Sequence, residues 1–275
     1  MKKISCKRII KAVIIVILVF LLSVFLMIDD TFSATRGVDD SMYLDSREYI
    51  SVNGVELFVS IRAEKENAPI LLYLHGGPGD AALPLVLKYN RQLEEEFTVV
   101  ILEQRGAGKS YYKFKEADEL TIDTFVEDAF QLTQILLERY NQEKIYLVGH
   151  SWGSVIGLNF VLQHPEVIET YIGCGQVVNM QKSSESAYEY ALQKNREASN
   201  NKVVKKLEAI DPTYTQDTWF NDLLYTTKQV VKFEGSLYGK SNYNPMIKEF
   251  IFSNQYKIKD LINRQKGARQ SIEFL

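Results

Sequence analysis

The sequence predicts an α/β fold, a mostly parallel sheet covered on both faces by helices, and three observations carry that expectation. Four runs, PILLYLHGG, FTVVILEQRG, KIYLVGHSWG and IETYIGCGQ, are apolar on both faces, as strands covered on two sides must be. Helix-length stretches separate them, which is the spacing that parallel crossovers need. The glycine-bearing motifs of the chain follow these runs directly, at the strand ends where α/β sheets place their sites. The chain has 275 residues, 46% of them hydrophobic, 12% aromatic and 24% charged, which excludes a disordered, collagen-like or low-complexity polymer. The length suits one large domain with an elaboration.

The first eleven residues hold Lys2, Lys3, Lys7, Arg8 and Lys11 and no acid. Residues 9–28, IIKAVIIVILVFLLSVFLMI, would span about 30 Å as a helix, the thickness of a hydrocarbon core. With basic residues before the run and Asp29 and Asp30 after it, the expectation is a single-pass membrane anchor over residues 1–28. The N-terminus would then be cytoplasmic and the body extracytoplasmic. A cleaved signal peptide followed by secretion is the alternative. Residues 29–45 read as a polar linker and residues 46–175 as the core.

The core opens with EYISVNG and VELFVSIRA around Asn53-Gly54, a pair typical of a tight hairpin. Between the second and third apolar runs named above, residues 121–140 place Phe125, Val126, Ala129, Leu132 and Leu136 along one helical stripe, with Thr121 as N-cap. Beyond residue 176 strand-like runs cease, and residues 176–275 read as a helical cap.

Charge and rare residues narrow the chemistry. The five basic residues at the start belong to 32 Lys and Arg in all, leaving 27 against 35 acidic residues downstream. A body with that excess repels phosphate backbones, so no nucleic-acid partner is expected. The basic stretch from Lys240 through Lys257, Lys259, Arg264, Lys266 and Arg269 reads as a solvated helical face. Two cysteines, Cys6 and Cys174, and three histidines give neither a disulfide scaffold nor zinc-ligand spacing, so no metal or cofactor is expected.

Gly149-His150-Ser151-Trp152-Gly153 lies between the apolar strand IYLV and the helical run SVIGLNFVLQ. A serine on so sharp a strand-to-helix turn needs small neighbours, which Gly149 and Gly153 supply, and Gly157 lets the helix approach the sheet. The helix N-terminus beneath Ser151 favours negative charge on an attacked carbonyl. His75-Gly76-Gly77-Pro78-Gly79 also follows an apolar strand, and its glycines let backbone approach a ligand. In an acyl-transfer site this loop and the residue after the nucleophile supply the oxyanion amides, here Gly77 and Trp152. Gly108-Lys109-Ser110 imitates the end of a phosphate loop. The first glycine that such a loop needs falls at Glu103, and no apolar helix follows, so no nucleotide is expected.

Together HGGPG, EQRGAGKS and GHSWG resemble the α/β-hydrolase superfamily, in its proline iminopeptidase (prolyl aminopeptidase) branch. The likeness covers about residues 49–175. It implies Ser151 as nucleophile of an acyl-enzyme, Gly77 and Trp152 as oxyanion donors, and His75, Gly76, Gly79, Gly149, His150, Gly153 and Arg105 in support. Glu103 and Arg105 are expected to be structural, and His150 to point into the protein. The substrate would be a small peptide with a free amino terminus, or another acyl compound. Cap carboxylates hold the substrate ammonium in this branch, and Glu185 and Glu208 are the candidates.

The family's aspartate and histidine follow the cap. None of His75, His150 and His164 suits the role of base, so the expectation is a chain truncated at its C-terminus, inactive as written and lacking the last strands of the sheet. Its final strand, IETYIGCG, would then be an unpaired edge. An esterase of small acyl substrates, and a non-catalytic fragment or tethered binding module, are the alternatives.

Overall fold

The computed structural model describes residues 11, 13–20, 43–115, 120–214 and 216–274. Its sheet has six strands, β1 (Leu44–Val52), β2 (Val55–Ala63), β3 (Ile70–Leu74), β4 (Thr98–Leu102), β5 (Ile145–His150) and β6 (Ile168–Cys174), in the order β1-β2-β4-β3-β5-β6. β1, β2 and β4 pair antiparallel, and β4, β3, β5 and β6 pair parallel. Asn53 and Gly54 make the hairpin with φ of 46° and 77°, the two positive angles that a tight two-residue turn demands.

Alternation along the strands divides the core. Ile70, Leu72 and Leu74 of β3 join Val100 and Leu102 of β4 on one face. There they meet α2 (Ile122–Tyr140) through Phe125 and Leu132 and α3 (Trp152–Gln163) through Ile156 and Phe160. Leu71, Val99 and Ile101 face the other way, against Leu83 and Val86 of α1 (Leu83–Tyr89) and Phe250 of α7 (Asn244–Phe252). Thr121 caps α2 through its side chain, as its sequence implies, accepting from the Thr124 amide at 3.3 Å.

After β6 the described chain is helical: α4 (Met180–Glu197), α5 (Asn201–Leu207), α6 (Trp219–Lys232), α7 and α8 (Ile258–Phe274). β6 is an edge of the sheet, with Ile172 and Cys174 exposed.

The expected membrane-spanning helix over residues 9–28, and the localisation built on it, are corrected here. No helix among the described residues is long and apolar enough to cross a membrane. Helix is described at Lys11 and residues 13–20. The rest of that segment, the basic tail, and the linker up to residue 42 lie outside the described residues.

Candidate active site

Register brings three loops together. Leu74 of β3 stands beside Leu102 of β4 on one side and Gly149 of β5 on the other, so these strands end level. The loops that begin at His75 and Glu103 and the turn that begins at Ser151 therefore emerge side by side at the carboxyl edge, where open α/β sheets place their sites.

Ser151 adopts φ 53° and ψ −121° between β5 and α3. A non-glycine residue in that region costs about 1–3 kcal/mol and persists only where its surroundings over-determine it. Here they do. The Ser151 amide donates to the Cys174 carbonyl at 2.9 Å, and the Ser151 carbonyl accepts from the Ser154 amide at 2.8 Å and the Ser154 hydroxyl at 2.6 Å. Gly153 permits the turn, because a Cβ there would lie 2.1 Å from the Leu74 carbonyl oxygen. Ser151 is half-buried, and a Cβ on Gly76 would come within 3.1 Å of its own. The glycine loop after β3 thus borders the serine, with Gly77 exposed next in line.

The histidines divide. His75 is fully buried; its Nε2 accepts the Gln104 amide at 3.1 Å, so the proton sits on Nδ1, which donates to the Gly76 carbonyl at 2.6 Å. Burial lowers its pKa and keeps the ring neutral. His164 stacks on Phe130 with ring centroids 3.6 Å apart. His150 departs from expectation: its side chain is exposed rather than turned into the protein, beside Gly76, and partial burial lowers its pKa.

Arg105 donates to both Asp128 oxygens at 2.7 and 2.8 Å and to the Tyr112 hydroxyl at 3.2 Å. Glu103 is buried and accepts from the Lys109 amide and the Tyr256 hydroxyl; burial pushes its carboxyl up to about 7. The Ser110 hydroxyl donates to the Glu103 carbonyl at 2.6 Å, so the segment that imitates a phosphate loop is engaged with its own strand end. Glu185 accepts from Gln181 at 3.0 Å and Glu208 pairs with Arg196 at 2.7 Å, so both are engaged within the helical segment. Among the described residues no group of three or more His, Cys, Asp or Glu is placed to hold a metal.

Sequence reasoning missed Gln104, whose side chain receives the Trp152 indole N–H at 3.2 Å and donates to the His75 carbonyl at 2.8 Å. It also missed Asp80, which Arg264 of α8 grips through both carboxylate oxygens. The polar pair Glu103-Gln104 at the end of the buried strand β4 was the available signal for Gln104, because polar side chains at such a place are buried and must be hydrogen-bonded.

A serine on a strained strand-to-helix turn, bordered by a glycine loop from the neighbouring strand, defines the site of an α/β-hydrolase. The chain belongs to the alpha/beta hydrolase fold family, whose model matches residues 69–229. It is 32% identical over 234 residues to the Bacillus subtilis (strain 168) protein named Probable aminopeptidase YbaC, covering 84% of this chain and 70% of that protein. It is 29% identical over 125 residues to the proline iminopeptidase of Heyndrickxia coagulans, covering 45% of this chain and 41% of that enzyme. The chain thus resembles the prolyl aminopeptidase branch, while spanning about two fifths of several proline iminopeptidases it matches. A solved proline iminopeptidase-related protein of Thermus thermophilus aligns at 19% identity and a TM-score of 0.48, over 82% of this chain and 87% of that one.

Proposed function

We propose that the chain is a serine hydrolase of the aminopeptidase type, acting through an acyl-enzyme on Ser151 with the amides of Gly77 and Trp152 receiving the oxyanion. The observation that carries this reading is the left-handed backbone of Ser151 at the head of α3, beside Gly76. Such a conformation is costly, and it lifts a hydroxyl off the end of the sheet toward the glycine loop.

Oγ bonds to the substrate carbonyl carbon while the carbonyl electron pair moves onto oxygen. Collapse of that intermediate breaks the bond to the leaving amine, which takes a proton, and water then hydrolyses the ester. Negative charge on the oxygen is favoured by the N-terminus of α3 as well as by the two amides. The proton of Oγ needs a base. His75 is committed through both ring nitrogens, and His164 lies at the opposite end of α3 from Ser151, stacked on Phe130. Among the described residues no histidine hydrogen-bonds Ser151, and slow turnover by this chain is the expected consequence. Similarity to proteins named aminopeptidase and proline iminopeptidase supports a peptide with a free amino terminus as substrate.

A fluorophosphonate probe should label the protein, and the label should vanish in Ser151→Ala. Labelling that survives the substitution overturns the reading. Faster hydrolysis of proline p-nitroanilide than of an acetate ester supports the peptidase assignment, and the reverse order makes the protein an esterase.

A further inference from the structure

Gln104 stands between the two segments to which the oxyanion amides belong, and it is 2% exposed. Its side-chain Nε2 donates to the His75 carbonyl at 2.8 Å, and its backbone amide donates to His75 Nε2 at 3.1 Å. The His75 ring passes the constraint on, because Nδ1 donates at 2.6 Å to the Gly76 carbonyl, which belongs to the same peptide group as the Gly77 amide. At its other end, Gln104 Oε1 accepts from Trp152 Nε1 at 3.2 Å. Phe125 seats the same indole edge to face, with centroids 5.9 Å apart.

A carboxamide suits this place because it carries one acceptor and two donors fixed in a plane. Glutamate in its stead would accept from the indole but set lone pairs against the His75 carbonyl. Leucine would make neither bond. The tie to the His75 carbonyl is buried, where an unmade hydrogen bond is not replaced by water, and the tie to the Trp152 indole is partly buried.

We infer that Gln104 is a positioning residue that sets the spacing between the Gly77 and Trp152 amides by holding both their segments on one side chain. The inference rests on the hydrolase reading of Ser151 for its consequence, though not for its geometry. Misplacing reacting groups by about 1 Å costs on the order of 100-fold, and losing one oxyanion donor about 100- to 1,000-fold.

The test uses the full chain in two arms. In the first, protein labelled with 15N-tryptophan and 15N-glycine gives two indole signals, from Trp152 and Trp219, the two tryptophans of the sequence, together with the glycine backbone amides. Gln104→Leu should move the Trp152 signal, speed its exchange with solvent and leave the Trp219 signal in place. Gln104→Glu should spare the indole signal while shifting the Gly77 backbone amide. In the second arm, phosphonylation of Ser151 forms the Oγ–P bond and breaks P–F, with the hydroxyl proton passing to buffer. Its maximal rate should fall about 10- to 100-fold in Gln104→Leu and less in Gln104→Glu, with half-saturating probe concentration unchanged within about twofold. Should Gln104→Leu fail to fold, Trp152→Phe cuts the indole tie from the other side and should slow the same rate about 10-fold. Unmoved indole and Gly77 signals, or an unaltered rate, overturn the inference. Labelling that persists in Ser151→Ala instead overturns the hydrolase reading, and the first arm then still decides whether Gln104 holds both amides.

Discussion

Helices α4 to α6 and helices α7 to α8 follow one another in a single run of polar sequence, yet they are held in different ways. The first group encloses a small core of its own, Ala191, Leu207 and Ile210, and ties its ends by contacts such as the Tyr190 hydroxyl to the Phe233 carbonyl at 2.6 Å. The second group has no such enclosure. Phe250 and Tyr256, two residues before α8, are buried in the core of the sheet itself. α8 then lies across the loops of the candidate site: Arg264 grips Asp80 and covers the Phe250 ring at 3.8 Å, and Tyr256 donates to Glu103. A local core lets a group of helices loosen by itself. Helices fastened to the loops after β3 and β4 cannot loosen without disturbing them.

The largest effect should come from the closest backbone approach. At Gly267 of α8 a Cβ would lie 2.2 Å from the Gly106 carbonyl oxygen and 2.8 Å from that of Gly79. Neither partner is a flexible side chain that could yield. Gly267→Ala should cost about 3 kcal/mol in chemical denaturation and expose α8 to proteolysis, while α4 to α6 stay protected. Equal cutting of both groups would break the comparison.

Glu103 makes the α7–α8 attachment depend on pH. Burial raises its carboxyl above the ordinary value to about 7, against the partial relief offered by the Tyr256 hydroxyl, the Lys109 amide and the Lys109 charge, with Asp260 opposing. At pH below about 4.5 the carboxyl is protonated in folded and unfolded chains alike, and no penalty arises. Between there and about pH 7 the unfolded chain ionises first, so stability falls as pH rises, by on the order of 2–3 kcal/mol, and is level above. His75, whose pKa burial lowers, acts in the opposite direction, since the unfolded chain binds its proton first as pH falls. The measurement is therefore the difference in unfolding free energy between the natural protein and Glu103→Gln. That difference should shift in favour of Glu103→Gln from pH 4.5 to 7, and a difference independent of pH would refute the assignment.

What could be read in the sequence divides along the same line. The elbow was legible because its constraint is local: a left-handed serine between strand and helix dictates small neighbours within two residues. The Asn53-Gly54 hairpin and the stripe of α2 were legible for the same reason, since backbone angle and helical period act over a few residues. The fastening of α8 was not. Arg264 and Asp80 lie 184 residues apart, and Tyr256 and Glu103 lie 153 apart. Arg264 reads as one of many basic residues on a solvated face, and nothing in its neighbours marks it as partly buried against Phe250. Gln104 was hidden differently, because its partners, a histidine ring and an indole, were each already explained by their own motifs.

In the first helical group the matching truncation is Leu207→Ala. Leu207 is fully buried among a few side chains, with little surrounding mass to hold a cavity open. The expected loss is about 2 kcal/mol, at the low end for such a change. It should appear as faster hydrogen exchange in α4 to α6, with exchange at Asp80 and Gln104 unchanged. Slower or faster exchange in those loops would mean that the two groups are coupled after all.

The smallest effects discriminate most finely, because each group carries an arginine–carboxylate pair in a different setting. Arg196 and Glu208 meet at 2.7 Å with side chains 57% and 48% exposed, so water and salt screen the charges and holding two long side chains still offsets what attraction remains. Arg264 and Asp80 are 24% and 37% exposed, and the guanidinium both forks onto the carboxylate and sits over the Phe250 ring. Lysine keeps the charge but can neither fork nor stack in that way. Arg264→Lys should therefore lower stability by about 1 kcal/mol, most of it persisting in 1 M salt, where screening acts over about 3 Å, because stacking and hydrogen-bond geometry do not depend on long-range charge. Arg196→Lys should fall within about 0.3 kcal/mol of the natural protein at any salt concentration. If the two substitutions cost the same, α8 is held by charge alone, and the contrast between the groups reduces to their apolar cores.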